Sequence, residues 1–249
     1  MSGEIFRYVF DVRTAAPNAL LIATAILPAV ALLFYIYKRD RVNKEPDMLL
    51  LALVLLGVAS VLFAILAEMA GCALLGLFVQ EETVLWFLIE DFLIIGPAEE
   101  GAKYAMLRIK TWRSPHFDCS FDAVVYAVFV SLGFALAENV SYALIYGLGT
   151  ALLRAVTSIP GHMSFGVFMG ACYSLAKIYS RRGDAGRSRR WRVLSVVLPA
   201  LFHGCYDFLA EITANFYTLA LPFLILFAAS MIVCAFLLVR ALARKDRYI

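Results

Sequence analysis

Four short groups of ionisable residues lie inside otherwise apolar stretches of this 249-residue chain. The first reads Gly96-Pro97-Ala98-Glu99-Glu100-Gly101-Ala102-Lys103. On a helix Lys103 is i+4 from Glu99 and i+3 from Glu100, so it can pair with either acid. One ammonium facing two adjacent carboxylates leaves one of them in need of a proton or a metal. The second group is Glu138-Asn139, and the third is His162, just after Pro160-Gly161. The fourth is His203-x-x-x-Asp207, whose i, i+4 spacing lets the carboxylate bond a ring nitrogen and fix its tautomer, as partners of metal-bound histidines commonly do. Two histidines and several carboxylates suit zinc, which takes His nitrogen and Glu oxygen and leaves a position open for water. Blander roles compete with this one. A Glu–Lys pair can simply lock two helices together, and a lone membrane histidine can bond a backbone carbonyl.

These residues sit in an unusually apolar chain. It is 63% hydrophobic and 16% charged, with a mean hydropathy of +0.82. A soluble domain is about 45–50% apolar and about 25% charged, so the surplus excludes a soluble enzyme, a disulfide scaffold and a disordered protein. The expected fold is all-α, a polytopic membrane helical bundle. The five cysteines, at 72, 119, 172, 205 and 234, include no C-x-x-C pair and read as small buried hydrophobes. A net charge of +3 is too small to argue for a nucleic-acid partner.

Seven stretches are long enough to cross a bilayer, which takes about 20 helical residues. They fall near 17–37, 48–79, 83–109, 119–147, 151–178, 192–212 and 215–239. The loops near 38–47, 108–118 and 177–192, with the tail after 239, hold 18 of the 22 Lys and Arg. In the intervening loops Arg154 is the one basic residue. The positive-inside rule then puts the basic loops and the C-terminus in the cytoplasm and the N-terminus outside. The first span has its basic cluster behind it, which suits an N-out anchor and not a cleaved signal peptide. With loops this short, residues 1–249 read as one integral membrane domain. Glu99, Glu138, His162 and His203 each lie about 10 residues from a span end, so about 15 Å deep. Ionisable groups at that depth cost about 2.5–3.5 kcal/mol each on insertion scales, and those retained usually serve function and face one another or water. One interior site is the economical reading. Glu68, Glu90 and Asp91 either line a water path to it or face protein; His116 is expected in solvent, and Asp122 suits the positive end of its helix.

Glu99-Glu100-x-x-Lys103, Phe134-x-x-x-Glu138, His162 and His203-x-x-x-Asp207, in order on successive spans, resemble the PrsW family of intramembrane proteases. That family belongs with the CAAX prenyl proteases in one membrane superfamily. The prenyl-protease pattern has Arg one position later in the first motif, His at the Glu138 position and Asn at the Asp207 position. This chain follows the PrsW variant at all three, so prenylated CAAX substrates are not implied. The resemblance covers about 96–207 and implies peptide-bond hydrolysis of a membrane protein substrate in a prokaryotic plasma membrane. In the best-known member the substrate is an anti-sigma factor.

The scheme this implies has Glu99 as general base and Glu138, His162 and His203 holding zinc. Lys103 neutralises Glu100, Asp207 orients His203, and Asn139 is a candidate oxyanion donor. The roles of Glu99 and Glu100 are interchangeable at this level. A metal-free version, with a Glu and a His activating water directly as in the prenyl-protease relatives, remains open. The small residues Gly96, Gly101, Gly133, Gly161, Gly166, Gly170 and Gly204 fit close helix packing around the cavity. The competing class is a proton- or metal-coupled transporter, since intramembrane Glu, His and Lys also mark ion paths; a helix-locking scaffold is the third.

Overall fold

A computed structural model describes residues 19–249. The described residues are helical throughout, apart from short turns and one isolated bridge between Cys119 and Tyr248. Helix α1 is Ala19–Arg39 and α2 is Asp47–Leu75. A short α3, Val84–Ile89, runs through a π-helical stretch, Glu90–Ile95, into α4, Gly96–Thr111. Helix α5 is Asp122–Val156, α6 is Ser158–Arg181, α7 is Ala185–Asn215 and α8 is Leu221–Arg244. Each of the seven expected apolar segments thus falls on a helical segment, although residues 17 and 18 and the N-terminal segment before them lie outside the described residues.

The protein is an all-α, polytopic membrane bundle. Among the described residues five helical stretches are long and apolar enough to cross a membrane, the longest being Asp122–Arg181. That 60-residue stretch holds both α5 and α6, and 78% of its most apolar window is buried, against 17–28% for the other four. The α5–α6 pair is therefore the bundle's interior, and the other helices cover it with their apolar outer faces exposed. Leu62, Phe63 and Leu66 of α2 and Phe223 and Leu226 of α8 are among the exposed residues. In water such a belt would aggregate; against acyl chains it is the expected exterior. The segment 84–111 is not among the five, and it carries Glu90, Asp91, Glu99, Glu100 and Lys103.

Two local features refine the expected layout, and both position the site. Pro97 suggests a break before the acids. The α-helix restarts at Gly96 with Pro97 and Glu99 in its first turn, and the missing N–H and the ring's clash with the carbonyl four residues back are absorbed in the wider π turn of Glu90–Ile95 before it. Hydropathy ends the fourth span near 147 and starts the fifth near 151, and the backbone breaks there, with a further helical segment running on to Val156. Gly147, at φ 81°, takes a backbone conformation that L side chains rarely adopt, and the helix resumes beyond it. A second turn, at Thr157, leads into α6.

Helix α7 seats backbone to backbone on the π stretch. A Cβ on Gly204 would lie 2.7 Å from the Asp91 carbonyl oxygen, and one on Gly96 would lie 2.6 Å from that of Ala200. Gly133, Gly166 and Gly170 also meet neighbours at 3.0 Å or less, whereas Gly101 meets nothing within 4 Å and Gly161 only a methionine tip. Gly204→Ala is accordingly expected to cost about 1–3 kcal/mol through overpacking. A lowered melting temperature in detergent checks this; an unchanged one contradicts the tight seat.

Candidate active site

Helix α4 carries three of the residues on one face, and that face turns inward. Lys103 is fully buried, and its ammonium donates to Glu99 Oε2 at 3.0 Å, Glu100 Oε1 at 2.8 Å and His162 Nδ1 at 3.1 Å. It also lies 3.9 Å from the centre of the Phe134 ring. All three of its protons are thereby used. The two acids differ in setting. Glu100 is 0% exposed and shares Oε1 with Lys103 and His203 Nδ1, the latter at 3.0 Å. Glu99 keeps 7% exposure, and only its Oε2 enters the network.

The contact with Lys103 fixes the His162 tautomer. An ammonium has no lone pair, so Nδ1 of His162 must accept, and the ring proton sits on Nε2. That N–H donates to Glu138 Oε2 at 2.8 Å. Glu138 is held from its other side by Arg154, whose guanidinium reaches the same oxygen at 3.0 Å. Arg154 Nε donates to Asn139 Oδ1 at 3.2 Å, and the guanidinium lies 3.9 Å from the Tyr142 ring centre. The kink at Gly147 is what lets Arg154 return over Glu138. In the sequence Arg154 stands out merely as the exception among the intervening loops, and that exception is the one signal of its role. Arg154→Ala should lower turnover about 10–100-fold, as loss of a partner that orients a working residue does, and Arg154→Lys should recover part of it. Steady-state rates of the two variants decide the matter; wild-type turnover in Arg154→Ala would remove it from the site.

His203 comes in from α7, with its ring centre 5.4 Å from that of His162. Its Nε2 stands 3.2 Å from Asp207 Oδ2 and 3.7 Å from Glu99 Oε2. Phe165 stacks on the ring at 4.7 Å. Glu99, Glu100, Lys103, Glu138, His162, His203 and Asp207, from α4, α5, α6 and α7, therefore form one connected cluster. Asn139 is not aimed into it. Its amide donates to the Ala25 carbonyl at 2.9 Å and its oxygen is taken by Arg154. Glu68 of α2 is a further acid that faces the cluster, near enough to act on Glu99, Glu138, His203 and Lys103. Glu90 is bound by Trp86 Nε1 at 2.6 Å, and Asp91 is buried beneath α7.

The donor set suits a metal. Donor atoms of Glu99, Glu100 and His162 all lie within 4.8 Å of one another. Glu100 Oε2, fully buried, has no hydrogen-bond partner. Such an orphaned carboxylate oxygen, beside a second acid and an imidazole, is what a divalent cation would satisfy. Of the expected trio, His162 is in this compact group, whereas Glu138 is shared by His162 and Arg154, and His203 faces Glu100 and Asp207.

The sequence model described as "PrsW family intramembrane metalloprotease" matches residues 45–239. The chain belongs to this family. That range holds every residue of the cluster. Protease PrsW of Bacillus subtilis (strain 168) is 35% identical over 209 residues, covering 82% of this chain and 89% of that protein. Protease PrsW of Oceanobacillus iheyensis is 32% identical over 206 residues, 83% and 90% of the two chains. That of Clostridioides difficile (strain 630) is 33% identical over 196 residues, 77% and 79%. No solved structure matches the chain. This is a multi-pass integral membrane hydrolase with bacterial relatives, and the family to which it belongs is one of metalloproteases.

Proposed function

We propose that the chain hydrolyses a peptide bond of a membrane-embedded or membrane-proximal protein at the α4–α7 cluster, with Glu99 as general base. The meeting of seven ionisable side chains from four helices carries this reading. Of the adjacent pair, Glu99 is the acid that retains exposure, and only one of its oxygens is engaged by Lys103, so it can reach a substrate-side water. Glu100 is fixed by Lys103 and His203 and serves to position both. Asp207 holds His203, and Arg154 through Glu138 holds His162. The metal, which we take to be zinc, would be held by Glu100 and His162, with Glu99 or His203 completing the set and Glu138 orienting His162 instead of ligating. When bound, it supplies polarisation of the scissile carbonyl and a more acidic water. Asn139 takes no part in this scheme while Ala25 and Arg154 hold its amide.

One observation favours a metal-independent variant: the Lys103 ammonium already touches all three members of the compact donor group. In that variant Glu99 and His203 activate water directly, their nearest atoms being 3.7 Å apart. Chelation separates the two. Stripping the purified protein of metal should abolish cleavage, zinc should restore it, and about one zinc per chain should be lost in His162→Ala. Full activity in the stripped protein would establish the metal-independent variant.

The chain is further proposed to cross the membrane seven times, N-out and C-in, as one domain with its working core at 96–207. The asymmetry of its basic loops supports this orientation. An anti-sigma factor is the candidate substrate, on the strength of the family resemblance.

A further inference from the structure

A second group of carboxylates lies well away from the active site, where the loop after α1, the turn before α5 and the C-terminal tail meet. Asp40 and Glu45 come from the first, Asp118 and Asp122 from the second, and Asp246 from the third. Asp40, Glu45 and Asp122 are buried, at 1%, 4% and 0% exposure. Donor atoms of Asp118, Cys119 and Asp122 lie within 4.8 Å of one another. Asp40 and Glu45 act electrostatically on Asp122 and Asp118, and Asp246 acts on Asp40 and Asp122.

Hydrogen bonds organise this group without filling it. Asp122 Oδ2 accepts from the N–H groups of Asp118 and Cys119, at 3.0 and 2.6 Å. Asn43 Nδ2 donates to both oxygens of Asp118. Ser120 Oγ and Phe121 N donate to Asp246 Oδ1 at 3.0 and 2.8 Å, and the tail pairs along the same turn through Ser120 N to Arg247 O and Ile249 N to Asp118 O. Four oxygens remain buried with no hydrogen bond, Asp40 Oδ1, Glu45 Oε2, Asp122 Oδ1 and Asp246 Oδ2; the Tyr126 hydroxyl stands beside the Glu45 carboxylate but donates to the His116 carbonyl at 3.0 Å. None of the five acids makes an ion pair among the described residues. The basic neighbour Lys44 lies exposed over the Tyr37 ring, 3.9 Å from its centre.

We propose that this junction is a structural site for a hard divalent cation, Mg2+ or Ca2+, which pins the C-terminal tail to the α1–α2 loop and the turn before α5. Buried carboxylate oxygens without partners are costly, and carboxylates in excess of any counter-charge are the donor set that hard cations take. The thiol of Cys119 is a poor ligand for such an ion and is not part of the site.

The test uses the full-length protein in detergent, freed of metal with a chelator, and trypsin cleavage after Lys245 and Arg247. Adding CaCl2 or MgCl2 should slow tail cleavage by the factor 1 + [cation]/Kd, about 100-fold at 100 times Kd. Asp122→Asn and Glu45→Gln should each abolish most of that protection. Cys119→Ala should retain it, and so should His162→Ala, which separates this site from the active site. Cleavage indifferent to either cation, protection by zinc alone, or protection in both carboxylate variants equal to that of the wild type would each overturn the proposal. If Asp122→Asn does not fold, the Glu45→Gln comparison decides.

Discussion

Glu99→Gln is expected to lower the rate of substrate cleavage by about 10²–10⁴-fold, the range over which a positioned general base contributes. The amide is nearly isosteric with the acid, and its carbonyl oxygen can still accept from Lys103, so folding and membrane insertion should persist. Glu100→Gln should behave differently. Glu100 is completely buried and accepts from both Lys103 and His203, so its loss should appear in stability as well as rate. Melting curves run beside cleavage assays separate the two. If Glu100→Gln folds normally and loses activity while Glu99→Gln keeps it, the roles of the two acids are exchanged.

Lys103→Met is expected to destabilise the protein by about 3–5 kcal/mol, the usual cost of removing one partner from a buried charged group. The ammonium is 0% exposed and bonds two carboxylates and a histidine at once. Without it, two adjacent acids face each other inside the bundle. Denaturation in mixed micelles measures the loss. Adding Glu99→Gln and Glu100→Gln to Lys103→Met should recover a large part of it, since the penalty belongs to uncompensated charge and the three substitutions are coupled. A Lys103→Met protein as stable as the wild type would mean that these acids are solvated.

The membrane bundle is legible in the sequence because apolar runs of helical length, one after another, can be satisfied only by lipid or by each other. The site is legible because each ionisable residue at mid-depth opposes insertion. What hydropathy does not carry is backbone detail. The boundary expected near Gly147 coincides with the kink at that glycine, φ 81°, but the second turn, at Thr157, lies inside a continuous apolar stretch and has no hydropathy signal. The same kink makes Arg154 a partner of Glu138, a contact between residues sixteen apart that no helical periodicity suggests. Pro97 does signal a perturbation, but the π turn that absorbs it also depends on α7 seating at Gly204. Asn139 neighbours Glu138 in sequence yet points to Ala25 of α1, because adjacent residues on a helix face different ways.

Oxygen-18 labelling tests the central claim most directly. Wild-type protein reconstituted in liposomes with single-span membrane proteins of a bacterial membrane extract would be incubated in oxygen-18 water, and new chain ends identified by mass spectrometry. The expected result is a set of new C-termini within or beside the spans, each carrying one labelled oxygen from the attacking water, and absent with Glu99→Gln and His162→Ala. Cuts that persist in both variants, or wild-type protein that makes none, would contradict a hydrolytic site built by these four helices.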